Sequence, residues 1–165
     1  MRTRCRSFPP ARWRIVACGT AGERRIPIDR FFLGIYETAL AADELLVAIE
    51  IPVFSPGEVY FFRQHARRRG DYALAGLAAR ATLDHGQFAA LRLAFFSVGD
   101  RPLPATAAAQ ALIGCDVTGD VLSRAQAALD GEADPHDDLQ APAEMRRYLM
   151  RGLLTAAVDE MLGRS

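Results

Sequence analysis

The sequence predicts an α+β fold: an antiparallel sheet of about three to four strands, with helices packed on one face. Three observations lead there. Short runs rich in β-branched and aromatic residues, punctuated by turn signals, occupy the chain as far as Val98. Alanine-rich stretches with a helical period take over from Thr106. Strands first and helices afterwards is the order of a sheet covered on one side. Half of the 165 residues are hydrophobic, which suits one compact domain or one domain with a short appendage.

Met1 to Pro10 reads as a frayed start. Trp13 to Cys18 and Arg24 to Ile28 are short β-like pieces around Gly19 to Gly22, a hairpin pattern. Asp29 is placed to cap one helical turn, Arg30 to Leu33, before Gly34. Leu45 to Ile51 is a strand opened by Asp43-Glu44 and stopped by Pro52. A Ser55-Pro56-Gly57 turn feeds a second strand, Val59 to Gln64. Leu74 to Leu83 and Phe88 to Val98 flank Asp84-His85-Gly86-Gln87, a hairpin signal, and Leu91, Leu93 and Phe95 alternate as strand residues do. Thr106 to Ile113 and Asp120 to Leu129 are helix candidates, and Gly131 to Gln140 is an acidic loop. Pro142 starts the strongest helix, to Leu162, with Met145, Tyr148, Leu149, Gly152, Leu153, Ala156 and Ala157 on its apolar stripe.

Composition narrows the function. Lys+Arg and Asp+Glu are both 20, and this neutral balance argues against a nucleic-acid partner, leaving Arg67 to Arg69 as a weak case for one. Every basic residue is arginine and alanine is abundant, which points to a GC-rich, bacterial coding sequence. Cys5, Cys18 and Cys115 are scattered, as are His65, His85 and His136, so no metal site, disulfide framework or general base is read from them. No run reaches transmembrane length and no apolar signal-peptide core follows the basic start, so no membrane insertion and a reducing, cytoplasmic location are expected. The densest chemistry is Phe61 to Gly76, where a strand runs into Arg67-Arg68-Arg69, a Gly70-Asp71 turn and Tyr72. Read alone, this is equally a solvated corner between two strands and a group of side chains presented to a ligand.

The ordered set of motifs resembles the flavoprotein (medium) subunits of molybdenum hydroxylases, the carbon monoxide dehydrogenase and xanthine dehydrogenase type. The set begins with Arg25-Ile26-Pro27, Phe31-Phe32-Leu33-Gly34, Thr38 and Leu40, then Glu44-Leu45-Leu46 and Ile49-Glu50-Ile51-Pro52. It continues with Arg67 to Ala73, Val98-Gly99-Asp100-Arg101-Pro102, Leu112-Ile113-Gly114 and Arg146-Arg147-Tyr148-Leu149. The resemblance covers about Arg24 to the C-terminus. It implies residues 1–54 as a remnant of the end of the FAD-binding domain and 55–165 as the C-terminal domain of that family. The two glycine-rich loops that cradle the FAD pyrophosphate in full-length members have no counterpart here, since Cys18 to Gly22 is too sparse. A truncated chain is therefore expected, with FAD implied for the family and not for this chain alone.

What the resemblance implies for function is electron relay. Electrons from a molybdopterin-binding large subunit cross the 2Fe-2S clusters of a small iron–sulfur subunit, reach FAD and pass to NAD, a quinone or oxygen. The same resemblance places Tyr72 over one flavin face, Arg68 and Asp71 in the charged loop beside it, and Leu46 against the ring. Arg63 or Gln64 stands where the family often has a lysine, and an arginine is not a simple substitute for it. Pro104 and Gln110 replace a usual arginine and glutamate. Each role has a plainer alternative: Tyr72 as a core aromatic at a strand start, Arg68–Asp71 as an intra-loop pair, Leu46 as core packing. A flavin-free docking module of the same complex is the rival function.

Overall fold

The computed structural model describes residues 13–53 and 56–164, which fall into two compact units divided between them. The frayed start read for Met1 to Pro10, and Ser55 of the turn, lie outside the described residues.

In the first unit, β1 (Arg14–Gly19) and β2 (Gly22–Pro27) form the hairpin, and β5 (Leu45–Glu50) pairs with the other side of β1. The sheet order is β2-β1-β5, all antiparallel. Ile15, Ala17, Ile26 and Phe31 make its small core. The helical turn expected at Arg30 to Leu33 is displaced. A 3-10 turn spans Ile28–Arg30 with Pro27, not Asp29, before it, and Phe32 opens β3 (Phe32–Gly34) against β4 (Glu37–Thr38). Burial of Phe31 and pairing of Phe32 with Thr38 outweigh the local capping signal.

Glu44 ties this unit together. Its carboxylate accepts from Arg24 Nε at 2.5 Å, Arg24 Nη2 at 2.7 Å and the Ala41 N–H at 2.7 Å. Arg24 Nη2 also donates to the Ala39 carbonyl. The hydrogen bond from Arg24, then that from Ala41, lowers the Glu44 carboxyl to about 2.

The second unit holds a four-stranded antiparallel sheet, order β6-β7-β8-β9: β6 (Glu58–Ala66), β7 (Ala73–Asp84), β8 (Gln87–Phe96) and β9 (Leu103–Pro104). Helices α1 (Thr106–Leu112), α2 (Gly119–Glu132) and α3 (Ala143–Met161) complete it, so the α+β architecture read from the sequence is the one observed. β7 and β8 bury every second side chain. Ala81, Ala79 and Leu77 stand opposite Leu91, Leu93 and Phe95, and all six belong to the core that the helices cover. A bulge beside Thr82 and Leu83 lets Phe88 and Leu91, three residues apart, enter that same core. The hairpin turn has His85 at φ 50° and Gly86 at φ 78°, the left-handed pair that a two-residue connection needs. The short edge strand β9 was not legible in the sequence; its Pro104 costs no ladder bond at an edge.

Two helix readings change. α2 runs through Gly131 and Glu132, which the sequence placed in the loop, because the Glu132 carboxylate accepts the Ala107 and Ala108 N–H groups at 2.7 and 3.2 Å and so caps α1. Along α3 the buried stripe is Arg146, Met150, Leu153, Leu154, Ala157, Val158 and Met161, while Met145 and Tyr148 face solvent. The stripe is turned by about one residue from the expected one, towards Met150, Leu154 and Val158, with Leu153 and Ala157 common to both.

The opposite face of the sheet is not covered by these helices. There the Phe96 ring lies across Gly76 and stacks on Phe62, ring centroids 5.6 Å apart. A Cβ on Gly76 would stand 2.0 Å from the ring.

Gly76→Ala is expected to cost about 1–3 kcal/mol in urea unfolding, as overpacking does. The added Phe96→Ala change should recover most of it; no recovery in the double variant would place the strain elsewhere. For Glu44, the folded carboxyl lies below its ordinary 4.5, so its contribution is full above that pH and is lost as pH falls towards about 2. Glu44→Gln should therefore lower the urea midpoint at pH 7, and the gap should close across that acid range.

Candidate functional site

The ends of β6 and β8 and the start of β7 meet at one end of the four-stranded sheet, and the arginine corner joins the first and last of these. Its backbone is set by a tight turn. The Asp71 N–H donates to the Arg68 carbonyl at 3.1 Å, with Gly70 at φ 85° in the third position. That conformation suits glycine and explains the Arg-Arg-Gly-Asp order. Asp71 then accepts the Tyr72 N–H on Oδ1 at 2.9 Å and faces Arg68 Nε across 3.9 Å on Oδ2. Arg68, Asp71 and Tyr72 are thus brought together in one turn. Tyr72 is 82% exposed, so it is not a core aromatic: its ring stands in solvent on a backbone held by its neighbour.

Arg67 is exposed, but its guanidinium is engaged within the chain. It donates to the Leu139 carbonyl at 3.4 Å and to that of Gln140 on the segment before α3. That segment is organised by Asp138, whose Oδ1 accepts the Gln140 and Ala141 N–H groups, both at 2.9 Å. Asp138 Oδ2 accepts from Arg146 Nη2 at 2.6 Å. The backbone donors at Ala141 and Gln140, then Arg146, hold the Asp138 carboxyl at about 2.

Arg146 is the group that sequence reasoning missed. It is 6% exposed, and its Nη1 donates to the carbonyls of Leu74 and Ser97, each at 2.6 Å. One guanidinium therefore joins the start of β7, the end of β8 and the loop before α3. The signal was available: Arg146 lies four residues before Met150 and seven before Leu153, at the head of the aliphatic stripe of α3.

The remaining candidates stand on β6 and β5. Arg63, on β6, runs over the Phe61 ring at 5.1 Å and pairs with Glu160 of α3 at 2.9 Å, so it points to the helical side of the sheet. Gln64 alternates to the other side, opposite Gly76. Leu46 belongs to the first unit, on β5, and is 42% exposed, which excludes a fully buried core role. Of the histidines, His136 pairs with Asp100 at 3.0 Å, and His85 lies 3.6 Å from Asp84; both are exposed. Among the described residues no group of three His, Cys, Asp or Glu could hold a metal ion. No helix there is long and apolar enough to cross a membrane.

The sheet is covered by helices on one face, and at one end it carries a hydrogen-bonded charged turn and an exposed tyrosine. The chain belongs to the family of CO dehydrogenase flavoprotein C-terminal domains, whose model matches residues 60–161. It is 31% identical over 147 residues to the carbon monoxide dehydrogenase medium chain of Afipia carboxidovorans, covering 89% of this chain and 51% of that one. It is 28% identical to the xanthine dehydrogenase FAD-binding subunit of Escherichia coli O157:H7, over 84% of this chain and 48% of that protein. Carbon monoxide dehydrogenase of Hydrogenophaga pseudoflava, in a form lacking the Mo-pyranopterin moiety of the molybdenum cofactor, superposes with a TM-score of 0.86 at 30% identity. That match covers 94% of this chain and 54% of the other. The chain spans about half the length of the curated relatives it matches.

Both members of the Arg63–Glu160 pair are about half exposed, so solvent screens it. Arg63→Met, which keeps the aliphatic stem over Phe61, should cost less than about 1 kcal/mol in urea unfolding. A larger loss would mean that the charge does more than pair at the surface.

Proposed function

We propose that this chain is the C-terminal part of a flavin-bearing medium subunit in a molybdenum hydroxylase, an oxidoreductase. In this reading residues 1–54 are a remnant of the end of the flavin-binding half, and 55–165 are the domain that closes on the flavin ring. The observation behind it is Tyr72: an aromatic ring 82% exposed on a hydrogen-bonded turn, in a chain of this family. The partners are a molybdopterin-binding large subunit and a two-cluster iron–sulfur small subunit, in a bacterial cytoplasm.

The residues present suit the ring end of FAD. A phenol held at its backbone offers a flat face at little entropic cost. Arg68 and Asp71 set opposite charges beside that face: the arginine favours added negative charge nearby and the carboxylate opposes it, so their balance sets the local potential. Leu46, on the other unit, and Arg63, whose charge Glu160 already meets, are not needed for this reading. A bound FAD would supply the redox chemistry, accepting electrons from the iron–sulfur clusters and passing them to NAD, a quinone or oxygen. Tyr72, by covering one face, governs which acceptor can approach.

A flavin-free docking module is the second reading, and one observation favours it. β5 is an edge strand whose Leu45, Val47 and Ile49 are each more than half exposed, an apolar edge suited to burial against another polypeptide.

The visible absorption spectrum after incubation with FAD and removal of free flavin separates the two. A retained, shifted flavin band that Tyr72→Ala alters or abolishes supports flavin contact. A colourless protein leaves the docking reading.

A further inference from the structure

We propose that Arg146 is a positioning residue for the Tyr72 turn, acting through two short routes that meet the turn from both sides. This rests on the reading of Tyr72 given under Proposed function. The first route is direct: Arg146 Nη1 holds the Leu74 carbonyl at 2.6 Å, two residues after Tyr72, and the same nitrogen holds the Ser97 carbonyl at 2.6 Å. Ser97 has φ 59°, a left-handed conformation that a non-glycine residue keeps only under external constraint, and its carbonyl is one of the two that Arg146 fixes. The second route runs through Asp138. Arg146 Nη2 holds its carboxylate at 2.6 Å, Asp138 orders the Gln140 and Ala141 N–H groups, and the Gln140 carbonyl accepts from Arg67. Arg67 opens the corner that Tyr72 closes.

Chemistry favours arginine for this task. The three contacts, two on Nη1 and one on Nη2, need a planar fork with donors in fixed directions, and a lysine ammonium could satisfy at most part of the set. A guanidinium 6% exposed among aliphatic side chains is costly unless its donors are met, so the contacts are strongly specified. The turn itself contributes little to the core. Tyr72 is 82% exposed and the Arg68–Asp71 pair spans 3.9 Å at the surface, so removal of Arg146 would free the turn before it unfolded the sheet.

The arginine corner provides its own probe, since trypsin cuts after Arg67, Arg68 and Arg69 once that backbone opens. Native-state cleavage there is compared with cleavage after Arg124, within α2, in the wild-type chain and in Arg146→Met, Arg146→Lys and Asp138→Asn. The expected result is a ratio of corner to Arg124 cleavage that rises about 10-fold or more in Arg146→Met and less in the other two. Arg146→Lys and Asp138→Asn keep the test informative if Arg146→Met fails to fold. Rates that rise equally at both sites, or a ratio unchanged in all folded variants, would overturn the proposal. In parallel, any flavin band retained by the wild type should move in Arg146→Lys towards the Tyr72→Ala spectrum. If the wild type retains no flavin, the flavin reading falls, and the cleavage ratio still decides whether Arg146 positions the turn.

Discussion

Burying a guanidinium is unfavourable unless it finds acceptors, and that requirement shapes one end of this molecule. Arg146 meets it by drawing in two carbonyls and a carboxylate from three segments distant in sequence. The aliphatic residues that follow it along α3 fasten the helix to the sheet. The charge then fixes where the loops end relative to that helix. Core packing and loop geometry are therefore not separate achievements here. The same helix face that excludes water also delivers the cation that orders the open end.

The sheet adds a second constraint. With helices on one side only, β7 and β8 must keep a strict alternation, and the bulge near Thr82 preserves it where Phe88 and Leu91 would otherwise fall out of phase. On the uncovered side the sheet fills space with its own aromatic rings, Phe96 over Gly76 and against Phe62. Alternation thus leaves Arg63 with the helices and Gln64 with the open side. That accounts for why the strand's cation is occupied by Glu160.

Much of this architecture could be read from the chain. The hairpin at Asp84 to Gln87, the strand ending at Pro52 and the three helices follow from local rules about turns, breakers and periodicity. What escaped depended on partners outside the local segment. Phe32 becomes a strand because Thr38 is there to pair, and Gly131 stays helical because Glu132 reaches α1. The α3 face was displaced because Met145 and Tyr148 fit an apolar stripe in sequence, yet the sheet meets the face of Met150, Leu154 and Val158. At the candidate site the turn was legible from Arg-Arg-Gly-Asp-Tyr. In the sequence Arg67 cannot be told from Arg68 and Arg69, and only the carbonyls of Leu139 and Gln140, some seventy residues on, show it as a strap.

Glu132 has a consequence beyond the length of α2. Its carboxylate satisfies two N–H groups at the start of α1, a seven-residue helix too short to persist by itself in water. The last turn of one helix is therefore the first anchor of the other. Fraying at Glu132 would expose the Ala107 and Ala108 amides at the same moment, so the end of α2 and the start of α1 are coupled and would lose hydrogen-exchange protection together.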